Sequence, residues 1–98
     1  MAEAVWDPDA AADVRQILDY VGVEQGRPEA ARRLVDRIRA ACEKYADFPL
    51  MGQERSDLAE GIRIFTVRPY VVLYFPLDDG IRVARVLHGA RDYPLLFQ

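Results

Sequence analysis

Some residue types are nearly missing from this 98-residue chain, which has one cysteine (Cys42), one histidine (His88) and one lysine (Lys44). A single cysteine excludes an internal disulfide. There is no long hydrophobic run. The longest near-apolar stretch, Tyr70–Leu77, falls far short of the roughly 20 residues that a spanning helix needs. The opening "MAEAVWDPDA" has neither a basic start nor an apolar core, so no export signal is expected. Together these absences point to the cytoplasm, with no membrane partner. There is no basic excess either: the net charge is −3 and the pI about 5.1, against the basic footprint of broad nucleic-acid binders. The charge is uneven, however. Residues 1–60 carry 8 Lys+Arg against 13 Asp+Glu, and residues 61–98 carry 5 Arg against 3 Asp. Any anion-binding surface is therefore expected in the C-terminal half.

What is present suits one folded domain, 1–98: hydrophobic residues make up 51% and charged residues 30%. Asp7-Pro8-Asp9 reads as a helix start, with aspartate as cap and proline in the first turn. Ala10, Val14, Ile17, Leu18 and Val21 then recur on one helical face, with Asp9, Asp13, Arg15, Gln16 and Asp19 mostly elsewhere. Gly22 and Gly26 are expected to end this helix. A second start at Arg27-Pro28-Glu29 leads into an apolar stripe of Ala31, Leu34, Val35, Ile38, Cys42 and Tyr45. Cys42 lies on that stripe, which marks it as core and not as a nucleophile. Arg32, Arg33, Arg37 and Arg39 alternate with Glu29, Asp36 and Glu43, as on a solvated face with i,i+4 pairs. The other reading of those arginines is a docking face for an acidic partner segment.

Residues 47–61 read as a loop. After it the period changes. Ile62, Phe65 and Val67 suggest one strand, "YVVLYF" (70–75) a second ended by Pro76, and Ile81–His88 a third. Arg68-Pro69 and Asp78-Asp79-Gly80 supply the turns. "AEAVW" is apolar enough for a further strand. The order is β-α-α-β-β-β: an α+β domain with a helical hairpin packed on a small twisted antiparallel sheet, and "YVVLYF" central because it scarcely alternates.

This order, with "WDPDAAADVRQILDYV", Pro49-x-x-Gly52, Gly61-Ile62-Arg63 and "RVLHGARDY" (85–93), resembles the RelE/ParE superfamily of toxins from bacterial type II toxin–antitoxin modules, and its ParE branch most. The resemblance implies a toxin held inactive by a cognate, ParD-like, DNA-binding antitoxin. It also implies DNA gyrase as the target, with nucleic acid met only through antitoxin or target, and no cofactor, metal or catalytic centre. The RelE-like alternative is ribosome-dependent cleavage of messenger RNA, an enzymatic activity. Arg63, Arg85, His88, Arg91 and Tyr93 would then supply the base, the acid and the phosphate-binding cations. Strand alternation argues against that set, because Arg85 and His88 fall on opposite faces unless a bulge intervenes. The apolar end, with Leu95, Leu96 and Phe97, reads either as closing the core edge or as part of a partner surface.

Overall fold

The computed structural model describes residues 2–92. Its strands are β1 (Glu3–Trp6), β2 (Gln53–Glu54), β3 (Arg63–Val67), β4 (Tyr70–Leu77) and β5 (Gly80–His88). Its helices are α1 (Pro8–Ile17) and α2 (Pro28–Asp47), joined by a π-helical segment, Leu18–Glu24. The strands form one sheet in the order β1-β5-β4-β3-β2, with the helices over one face. The α+β layout and the central position of β4 agree with the sequence. The sheet itself is mixed rather than wholly antiparallel, since β1 runs parallel to β5 with Glu3 opposite Gly80 and Trp6 opposite Val83. The long connection from β1 to β5, through both helices and β2–β4, allows this pairing, whereas the short turns among β3, β4 and β5 enforce antiparallel neighbours.

Each face of β4 is covered by a different layer. Tyr70, Val72 and Tyr74 join Ala10, Val14, Ile17, Leu34, Val35 and Ile38 in the main core. Val71, Leu73 and Phe75 lie on the opposite face with Ile62, Leu87 and the Leu58–Ala59 turn. This is why "YVVLYF" shows no polar–apolar alternation.

Four local expectations are corrected. Asp7 stands at the N-cap of α1 but makes no side-chain cap hydrogen bond; its carboxylate takes Arg82 instead. Of the two glycines expected to end the first helical stretch, Gly22 does not and Gly26 does. The helix widens into π-type turns, with Gln25 N–H bonded to the Tyr20 carbonyl, and ends at Gly26, whose φ is 65°. Pro76 does not end β4, which runs on to Leu77. β3 stops pairing at Arg63 opposite Tyr74, so on that side Pro76 has no strand to which a donor is owed. The 47–61 loop contains the two-residue strand β2.

Among the described residues no helix is long and apolar enough to cross a membrane. The expectations for Tyr93, Leu95, Leu96 and Phe97 fall outside the described residues.

Candidate functional site

The sheet end carrying "RVLHGARDY" is organised by a residue that sequence reasoning placed off the apolar face. Asp13 of α1 is 8% exposed and sits where the edge of β5 is left open beyond the last β1 pair, Trp6–Val83. One carboxylate oxygen accepts the Val86 N–H at 2.9 Å and the Arg85 Nε–H at 2.8 Å, and the other accepts Arg85 Nη2 at 3.1 Å. The carboxylate thus replaces a missing strand for one amide and holds the guanidinium bidentately. Arg85's already high pKa is raised further by this hydrogen bond. A signal for Asp13 was available in the sequence: it lies three residues after Ala10 and four before Ile17, within the apolar stripe.

His88 is engaged by its own turn. Its Nδ1 accepts the N–H groups of Ala90 and Arg91, each at 3.2 Å, while its backbone N–H bonds to the Asp92 carboxylate at 3.1 Å. The ring meets Tyr70 edge-on, with centroids 5.4 Å apart. Arg91 lies over the Tyr20 ring at 4.7 Å. Burial raises the pKa of the Tyr70 hydroxyl above the usual tyrosine range, with Arg91 acting the other way. Tyr20 and Tyr70 belong to this corner, yet nothing in their spacing announced it. A bulge does interrupt β5, but at Ala84, where Leu73 opposes Arg85 and Tyr74 opposes Val83. It precedes Arg85, so alternation from Arg85 to His88 is unbroken: Val86 enters the helix-side core and Leu87 the other.

Arg63 is brought to neither residue. Its guanidinium donates to the carbonyls of Leu50 at 3.1 Å and Gly52 at 2.7 Å, and lies 3.6 Å from Glu54. So Arg85 is held by Asp13, His88 and Arg91 share a turn, Arg63 fastens a distant loop, and Tyr93 lies outside the described residues. Among the described residues no group of His, Cys, Asp or Glu is placed to hold a metal ion.

A second surface lies along the helices. Leu18, Gly22, Val23, Pro28, Ala31 and Val35 line an open groove of about 530 Å³ with Arg32, Asp36 and Arg39 around them. Val23 is 76% exposed. On the outer face of α2, Glu29 and Arg33 form the i,i+4 pair expected of a solvated face, at 3.8 Å.

Cys42 is fully buried in the core, and burial pushes its thiol pKa up to about 12 despite the opposing charge of Arg39. The thiolate is the reactive form. A thiol reagent at about pH 8 should therefore leave Cys42 unmodified in the folded protein and label it only at the rate of unfolding. Rapid labelling without loss of helical circular dichroism would contradict this placement.

The sequence model described as "ParE toxin of type II toxin-antitoxin system, parDE" matches residues 4–93. The chain is 37% identical to Toxin RelE2 of Caulobacter vibrioides over 93% of this chain and 99% of that one. It is 33% identical to Toxin ParE3 of the same organism, covering 91% and 88%. A solved structure from the chromosomal ParDE toxin–antitoxin system of P. aeruginosa superposes with a TM-score of 0.74 at 26% identity, covering 90% of this chain and 96% of that one.

Proposed function

The chain belongs to the ParE toxin family of type II toxin–antitoxin systems, and from that membership we propose that it acts in the cytoplasm by inhibiting DNA gyrase and is neutralised by a small cognate antitoxin. The observation that carries the choice of target is the state of His88. Its Nδ1 lone pair faces two backbone N–H groups, so the neutral ring carries its proton on Nε2. Such an imidazole has no free lone pair with which to take a proton from a 2′-hydroxyl. Arg85 is turned to Asp13 and Arg63 to the Leu50 and Gly52 carbonyls, so neither converges with His88 on one phosphate. The net charge of −3 also suits a protein target better than ribosomal RNA.

The RelE-like reading, supported by the name of one relative, requires Arg63, Arg85, His88, Arg91 and Tyr93 to act together on message. The two readings separate in a paired assay. Purified protein should block gyrase supercoiling and leave ribosome-bound message intact. His88→Ala should keep that block in proportion to its folded fraction. Ribosome-dependent cleavage that disappears in a folded His88→Ala protein would transfer the assignment to the endonuclease.

For the antitoxin, the groove lined by Leu18, Val23, Ala31 and Val35 offers apolar anchors between charged rims, the form in which an amphipathic segment binds. Co-expression with a small protein encoded beside it should yield one complex in gel filtration.

A further inference from the structure

The loop that follows α2 displays large apolar side chains to water while its backbone is held from within. Phe48 is 61% exposed, Leu50 69% and Met51 47%. Beneath them the buried Tyr74 hydroxyl donates to the Pro49 carbonyl at 2.7 Å and accepts the Gly52 N–H at 3.0 Å. Arg63 donates to the Leu50 and Gly52 carbonyls from the neighbouring strand. Gly52 packs so closely that a Cβ there would collide with the Tyr74 hydroxyl and lie 2.9 Å from the Ile64 carbonyl. A chain that needed these three side chains only for folding would bury them. Here the polar groups of the sheet fix the backbone and the apolar groups point outward. This is the arrangement of a preorganised contact surface, which loses little conformational freedom when it binds.

We propose that the Phe48–Met51 loop is the surface by which this protein grips its target, and that the matching surface is a protein pocket, apolar at its centre and basic at its rim. The proposal rests on the toxin reading above. Residues 43–57 contain Glu43, Asp47, Glu54 and Asp57 against Lys44 and Arg55. Arg55 is paired with Asp57, and Arg63 is engaged by two carbonyls and by Glu54. That balance repels phosphate and complements basic protein side chains. The loop also stands apart from the helical groove. Val35 and Phe48 are separated by about 20 Å along α2 at 1.5 Å per residue, so one partner can occupy the groove while another meets the loop.

The test compares the wild type, the double variant Phe48→Ser with Leu50→Ser, and Val5→Ser, which removes a half-exposed apolar side chain on β1 at the opposite sheet edge. Each is assayed for gyrase supercoiling, growth arrest on expression, melting temperature and complex formation with the adjacent small protein. The double variant should need roughly thirtyfold more protein for half-inhibition, as loss of a central apolar anchor does. It should melt with the wild type and still form the complex; Val5→Ser should match the wild type throughout. Inhibition equal to the wild type overturns the proposal, and so does loss of the complex at unchanged melting temperature. If the wild type leaves gyrase untouched, the gyrase reading falls and growth arrest becomes the readout. Arrest relieved by the double variant then sustains the loop as the contact to another protein, and unrelieved arrest overturns it. A wild type that neither blocks gyrase nor arrests growth leaves the loop no target and overturns it as well.

Discussion

Replacing Gly80 by alanine should unseat β1 and lower the melting temperature by on the order of 20 °C. Gly80 follows Asp78-Asp79 in the β4–β5 turn and has a φ of 132°, a conformation that side chains with a Cβ rarely adopt. It also faces Glu3 in the parallel β1–β5 pairing, and an added Cβ would run into the Glu3 backbone. The obstacle is main chain, which cannot rotate aside as a flexible side chain could. Two costs combine: backbone strain of about 1–3 kcal/mol and overpacking of about 1–3 kcal/mol. β1 is a four-residue edge strand joined to the turn through Glu3 N–H to the Asp79 carbonyl at 3.4 Å, so it is the part that yields. Hydrogen exchange should show the β1 amides losing protection while those of β3 and β4 keep it. Gly26→Ala is the control. Its φ is also positive, at 65°, but an added Cβ meets nothing within 4 Å, so it should cost only about 1 kcal/mol. Equal effects at the two glycines would show that strain alone matters and that β1 is not held by close approach.

The second large effect is expected at Asp13. Asp13→Ala removes the acceptor of the buried Val86 N–H and the bidentate partner of Arg85 together. The orphaned amide costs about 1–3 kcal/mol. The Arg85 side chain is 41% exposed, so water recovers part of the ion-pair loss, about 1 kcal/mol after screening. The sum, about 3 kcal/mol, corresponds to a fall of roughly 15 °C in melting temperature for a domain of this size. Arg85→Ala should cost much less, because Asp13 keeps the Val86 amide. Asp13→Asn should fall between, since an amide oxygen can serve Val86 while its NH₂ faces a guanidinium with nothing to accept. If Asp13→Ala and Arg85→Ala are equal, the ion pair and not the amide is what Asp13 supplies. Raising the salt should shrink the small Arg85 effect and leave the larger amide effect in place.

The regular elements were legible in the sequence because each buries a patterned face. The stripe from Ala31 to Tyr45 and the turns at Arg68-Pro69 and Asp78-Asp79-Gly80 set α2, β3, β4 and β5 to within a residue or two. What was not legible depended on partners distant in the chain. β1 is parallel because of where the helices return it, and four residues carry no mark of direction. Pro76 stays in its strand because β3 ends early. Asp13 lies within the apolar stripe of α1, but what it serves there is set by an unpaired amide of β5, 73 residues later. The same holds for the candidate site residues. The motif "RVLHGARDY" was visible as a cluster of reactive side chains. That Arg85 would turn to Asp13, 72 residues away, and His88 to the amides of its own turn, depended on hydrogen bonds that composition does not encode. Arg63 was singled out beside Gly61, but its role in fastening the Pro49–Gly52 loop required the β3–β4 pairing that sets it opposite Tyr74.

The extra residue at Ala84 is a phase shift. Before it, odd-numbered positions of β5 face the helices, as Ile81 and Val83 do; after it, even-numbered ones do, as Val86 does. The strand therefore carries two reading frames joined at one point. Each half is correctly patterned by itself, and neither patterns the other. A change of two residues in the Asp78–Gly80 turn preserves both frames. Deleting Ala84 alone would join the two frames into one regular alternation, leaving Val83 and Val86 toward the helices and Leu87 away from them, and would remove only the local bend of the bulge. Ala84 is thus the position in this strand where the chain can shorten by one residue and keep both faces as they are, whereas the loss of Val86 or Leu87 would take a side chain out of one of the two cores.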